Sequence, residues 1–131
     1  MPLDNISEVI RGSMAYERTR VEVASYNLAI ANVALSPGQD SPLLRVAAPG
    51  SFASQVGLHG PRVHASQGHE TRVVHDPGHP MADHDGMVHY ANIEAAREMA
   101  TLVSATRAYE ANIRSYNSLR AMTLKAFEIG K

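Results

Sequence analysis

A chain of 131 residues with 12 basic and 13 acidic side chains has room for one domain and carries a formal net charge of −1. That balance offers no basic excess to grip a phosphate backbone, so nucleic acid is excluded as a first reading. Aromatics make up 5% and tryptophan is absent, so the 44% apolar fraction rests on small side chains that bury little area each. A chain this size folding alone would bury about two-thirds of its unfolded surface; this composition points instead to a subunit completed by neighbours. With no cysteine, disulfide scaffolds, thiolate zinc sites and thiol nucleophiles are ruled out. No apolar run approaches the ~18 residues of a membrane helix. The N-terminus lacks the pattern of a cleavable secretory signal, as in a cytoplasmic protein or one exported by a dedicated machine.

Helix breakers divide the chain. Residues 3–35 hold no proline and one glycine, residues 36–89 hold six of the seven prolines and all seven histidines, and residues 90–131 hold only Gly130. This predicts a first helical segment over 1–36, an irregular or β-rich middle over 37–90, and a last helical segment over 91–131. In the first segment Asp4 is a candidate cap. Ile6, Ile10, Met14, Val21, Ala24, Leu28, Ala31 and Leu35 then recur at helical spacing, interrupted by Glu17, and Ser36-Pro37-Gly38 stops the run.

In the middle, Val56, 62–65, 71–75 and 87–90 are the strand candidates. Turns are expected at Asp76-Pro77-Gly78-His79-Pro80 and at Asp85-Gly86. Residues 36–54 show no clear period and are expected to be a loop.

The last segment has Asn92 as a candidate cap, then Met99, Leu102, Thr106, Tyr109, Ile113, Tyr116, Arg120, Thr123 and Phe127 at steps of three and four, as in a heptad seam. A lone helix cannot bury such a seam, so the first segment is its expected partner. Thr106 and Arg120 either fix the register of the seam or turn to solvent as the helix drifts. Asn112 either hydrogen-bonds between helices or faces water. The fold class expected is α+β, mainly α: long terminal helices packed as a coiled-coil hairpin, with a small β-rich or irregular middle.

Chemistry finds little footing. No nucleophile elbow or phosphate-binding loop occurs, and the aspartates of the middle sit where turns favour them. No enzyme, cofactor or small-molecule substrate is expected. His79, His84 and His89 recur at five-residue steps beside Asp83 and Asp85, types that ligate zinc or nickel. Their spacing lacks a helical metal motif, so a solvated histidine-rich loop is the plainer reading and no metal is assigned. The competing function is a histidine-rich metal-binding or pH-responsive helical adaptor.

Several stretches carry a family resemblance. Residues 74–83, Val-His-Asp-Pro-Gly-His-Pro-Met-Ala-Asp, followed by Asp85-Gly86-Met87-Val88, resemble the flagellar basal-body rod proteins of the FlgC type, which carry a similar Tyr-x-Pro-Gly-x-Pro-x-Ala-Asp run. Glu98-Met99, the run from Ser104 to Asn112, Met122, Leu124-Lys125 and Gly130 are similar to the family's last helix. Residues 25–32, Ser-Tyr-Asn-Leu-Ala-Ile-Ala-Asn, resemble its amino-terminal signature, with Ile30 where the family has asparagine and His75 where it has tyrosine. Pro42-Leu43-Leu44-Arg45 is similar to a degraded Pro-Tyr-Arg-Arg.

The resemblance implies a structural rod subunit of the periplasmic basal body, exported uncleaved by the flagellar type III apparatus and partnered by copies of itself and by other rod subunits. The terminal helices would form an inner coiled-coil layer. The residues expected at subunit interfaces are Ile10, Met14, Asn27, Leu28, Asn32, Met99, Leu102, Tyr109, Asn112, Ile113, Tyr116 and Phe127.

Overall fold

The computed structural model describes residues 2–47, 60–66 and 71–129, and side chains from residue 5 onward. Among these residues two long helices, α1 (Pro2–Ile30) and α2 (Ala95–Ile129), flank five short strands: β1 (Ala34–Leu35), β2 (Leu44–Val46), β3 (Val63–Ala65), β4 (Thr71–His75) and β5 (Met87–Ala91). The candidate strand residue Val56 lies outside the described residues.

The helix ends differ from the expected ones for local reasons. Pro2 opens α1, where a missing N–H costs nothing, so Asp4 falls in the first turn. The helix stops at Ile30. Leu35 therefore leaves the helical stripe for β1, where it pairs with His89 of β5 and is buried. At the other end, Ile93 N–H donates to the Ala91 carbonyl as the chain leaves β5, and the Glu94 carbonyl takes the first helical bonds, from Arg97 and Glu98. The helix thus begins three residues after Asn92, and Glu94 occupies the cap position.

The helices lie antiparallel. Asn112 Nδ2 donates to Ser13 Oγ at 2.8 Å, and the Arg11 guanidinium donates to the Tyr116 hydroxyl at 3.3 Å. That bond raises the Arg11 pKa and lowers that of Tyr116. The inward stripe of α2 is Glu98, Leu102, Ala105, Tyr109, Asn112, Tyr116, Leu119 and Thr123, all buried or half-buried. Part of the expected seam is therefore displaced by one residue: 98, 105 and 119 point inward instead of 99, 106 and 120, while Asn112 and Ile113 are both half-buried. Two things turn the helix this way. Ala105 is fully buried and lets α1 approach closely. The polar groups of Glu98 and Asn112 find partners inside, whereas Thr106 bonds only its own helix, at the Leu102 carbonyl. Thr106 and Arg120 accordingly face out. On α1 the interrupting Glu17 is 12% exposed and neutralised in place by Arg20 at 2.8 Å.

The middle holds an antiparallel three-stranded sheet of order β1-β5-β4 and a separate antiparallel ribbon, β2–β3. Strands at 71–75 and 87–91 match the periodicity of the sequence. β2 departs from the loop expected over 36–54. Its three residues are too short to show a period, and only pairing with β3 and α1 makes them a strand. Among the described residues the buried apolar ones are Val23, Ala24, Leu35, Val88, Ala91 and Ala105, so the core they form lies at the sheet end of the helix pair.

The loop joining β4 to β5 is held by one carboxylate and one glycine. Asp83 Oδ1 accepts the backbone N–H groups of Asp85 and Met87, both at 2.9 Å, and Oδ2 lies 3.2 Å from His89 Nε2. Gly86 has φ of +73°, and a Cβ there would stand 3.0 Å from Pro77 Cγ. The Met87 N–H bond, with that of His89, holds the Asp83 pKa below the usual carboxylate range. Because the folded value lies below the unfolded one, this contribution is present above the ordinary range and lost as pH falls through the folded value. The Met87 amide should therefore lose exchange protection in acid, and in Asp83→Ala it should be weakly protected at every pH; an unchanged pH profile in that variant, read by NMR, would contradict the assignment.

Candidate subunit interface and the junction that orients it

The functional question for a chain with no catalytic constellation is which surfaces it presents and what fixes their orientation. Three elements meet near one end of the helix pair. Asn27, in the last turn of α1, is fully buried. Its Oδ1 accepts the Leu44 N–H at 3.0 Å, and its Nδ2 donates to the Leu44 carbonyl at 2.9 Å. A carboxamide bonded both ways to one residue imitates a strand partner, so the side chain covers the open edge of β2. The second amide hydrogen goes to Glu98 Oε2 at 3.1 Å. Glu98 Oε1 in turn accepts Arg45 Nη1 at 2.6 Å. The Glu98 side chain is 5% exposed and that of Arg45 34%.

The side-chain polar atoms of the two buried residues, Asn27 and Glu98, all have partners, which is the condition for burying them at all. The charges are of opposite sign and one is sealed, so the pair chiefly specifies geometry; breaking it would strand a buried carboxylate. The effect is to lock the β2–β3 ribbon to both helices at once.

The structure distributes the expected interface residues unevenly. Asn27 lies wholly inside the chain, its side chain spent on β2 and Glu98, so it offers no surface to a neighbour. Asn112 takes the interhelix bond, to Ser13. Ile10, Met14, Leu28, Leu102, Tyr109, Ile113 and Tyr116 are half-buried, and Asn32 is exposed. Met99 is 56% and Phe127 71% exposed. At the far end of α2 Met122, Leu124 and Ile129 are exposed as well. Glu98 and Arg45 escaped sequence reasoning, since a glutamate in a first helical turn and an arginine after an apolar pair are ordinary. The only signal was that both fall in family-like stretches.

The three candidate histidines do not converge. His79 Nδ1 accepts the Met81 N–H at 3.1 Å, His89 reaches Asp83, and His84 lies 3.2 Å from Asp85 with 88% of its side chain exposed. Among the described residues, only Asp83, His84 and Asp85 bring potential ligand atoms within 4.8 Å of one another. Two of them are exposed, and the third, Asp83, is already engaged by the loop.

Comparison with known proteins follows the helix that carries this surface. Residues 84–129 match the family model described as the C-terminal part of the flagellar basal body rod FlgEFG proteins. Over their whole lengths, this chain is 35% identical to the flagellar basal-body rod protein FlgC of Salmonella typhimurium and 34% identical to that of Escherichia coli O157:H7. With the FlgC protein of Bacillus subtilis the identity is 46% over 59 residues, covering 45% of this chain and 39% of the other.

The junction predicts the effect of Asn27→Ala. Leaving the Leu44 amide and the Glu98 carboxylate short of a partner should cost about 2–3 kcal/mol in unfolding free energy, measured in urea. A loss within 0.5 kcal/mol would show that Asn27 does not hold the ribbon.

Proposed function

The chain belongs to the FlgC family of flagellar basal-body rod proteins, and from that premise we propose how its helices do the family's work. It is a structural subunit of the basal-body rod, not an enzyme. Its helices assemble with neighbouring subunits as coiled coils, the inner unit being residues 1–36 and 91–131 and the outer unit residues 37–90. The observation that carries this reading is the apolar surface left uncovered at the end of α2, where Met122, Leu124, Phe127 and Ile129 are 57–86% exposed. Surface of this kind marks an interaction site in a chain that works in company.

Neighbours are other copies and other rod subunits, joined by heterologous contacts that extend an axial structure and let it transmit torque. The chain reaches the periplasm through the flagellar type III export apparatus without a cleaved signal. The polypeptide's lean core supports that route, since a thinly packed chain is readily kept unfolded for passage.

Swimming of a deletion strain restored by plasmid-borne variants tests the assembly reading. Phe127→Asp should leave the isolated chain as helical as the parent and abolish swimming, because assembly would desolvate an unpaired charge. Ile113→Asp should do the same with some loss of helix stability. Normal swimming with both variants would refute assembly through α2.

A further inference from the structure

The far edges of β3 and β4 stand open among the described residues, and the register of each strand shows which backbone groups it offers. Asp76 N–H donates to the Gly86 carbonyl at 2.9 Å. The ladder between β4 and β5 therefore runs through the even-numbered residues of β4, and Thr71, Val73 and His75 turn their N–H and C=O groups to the far side. In the ribbon, Ala47 N–H donates to the Arg62 carbonyl and Ser66 N–H to the Leu43 carbonyl, both at 2.8 Å. Val63 and Ala65 therefore turn their backbone groups away from β2.

Sheet edges in water are ordinarily guarded, because their unpaired groups accept another strand. β2 has the Asn27 carboxamide as its guard. β3 and β4 hold no proline and no lysine, and Arg72, the one arginine in them, lies over the Tyr90 ring at 5.1 Å. Val63, Val73 and Val74 are 44%, 43% and 38% exposed. An occupant of either edge has to present N–H and C=O groups at strand spacing, which is what an extended polypeptide carries.

We propose that β3 of one copy of this chain adds, antiparallel, to the open edge of β4 in a neighbouring copy, so that one sheet runs across the boundary between their outer regions. The inference rests on the rod reading and adds to it a contact made by the middle region. Within one copy the two strands belong to separate sheets. The outward groups fix the register in steps of two residues. With Ala65 opposite Val73 and Val63 opposite His75, both outward pairs are hydrogen-bonded, His64 faces Val74, and Arg62 faces Asp76. Arg62 and Asp76 are exposed, and among the described residues neither has an ion pair. Opposite charges directly across a strand pair favour that register. A shift of two in one direction sets His64 against Arg72 and leaves Arg62 without an acid. A shift in the other direction sets Val63 against Pro77, which has no N–H to give. Charge complementarity in the one register that uses both outward pairs points to a second copy as the occupant. The contact joins two different surfaces, so it is heterologous and repeats from copy to copy as an axial assembly requires.

The absence of cysteine makes the test clean. His64→Cys and Val74→Cys are introduced together in the full-length chain, and rods are oxidised in cells of the complemented deletion strain. In the proposed register these positions form a pair without backbone hydrogen bonds, with Cα atoms about 4.5 Å apart, within the reach of a disulfide. The double variant should give a ladder of dimers and higher multimers, each single variant should stay monomeric, and a mixture of the two singles should stop at dimers. Absence of the ladder in a swimming strain, or a disulfide closed inside one copy, overturns the shared sheet while leaving the rod assignment intact. A deletion strain that swims would instead strike the rod assignment itself. Should the cysteine variant fail to restore swimming, charge exchange decides. Arg62→Glu and Asp76→Arg should each cut swimming at least twofold, and the double exchange should recover at least half of the loss. Singles that swim like the parent, or a double variant no better than the singles, overturn the proposal.

Discussion

The Asn27 carboxamide has no contact with solvent and spends its oxygen and both hydrogens inside the chain, on the Leu44 backbone and on Glu98. Among the described residues the buried apolar ones are mostly alanine and valine, so hydrophobic burial by them would position the middle region weakly, because small side chains offer little area and little shape. Polar pairing supplies the missing specificity. The carboxamide finishes the edge of β2, Glu98 ties it to α2, and Arg45 closes the circuit from the ribbon side. A protein that bears load across many copies needs a fixed angle between its helices and its outer region. Directional bonds with full satisfaction set such an angle more sharply than a greasy contact does.

The same thin core explains the exposed surface. Apolar groups that would fill the interior of a self-sufficient domain are placed outside, at the end of α2 and along its outward face. For a rod subunit this is economical: the unfolded chain has little to bury alone, and neighbours complete the burial. The loop between β4 and β5 is built separately, around Asp83 and the positive φ of Gly86, and keeps its shape through local bonds.

Much of this was legible in the sequence because it depends on local rules. Proline and glycine mark where helices cannot run, and the helices fall in the segments they leave clear. β4 coincides with the predicted run at 71–75, where β-branched residues are bounded by turn signals. The family was legible from the turn before β5 and the motif around Tyr109. What escaped was decided by tertiary contact. β2 is a strand only because β3 and the Asn27 side chain pair with it. The seam of α2 turned by one residue because hydropathy counts Met99 as inward and Glu98 as outward, while the partners Asn27 and Arg45, far away in sequence, reverse the order. The burial of Asn27 inside the chain has the same origin.

The central claim is that the helices hold apolar surface which only neighbours cover. Hydrogen exchange along α2, compared between the isolated chain and the assembled rod, measures it most directly. Residues 120–129 should exchange within seconds in the isolated chain and slow by at least a hundredfold in the rod. Equal and strong protection of those amides in both states, together with a single sharp melting transition of the isolated chain, would contradict the account.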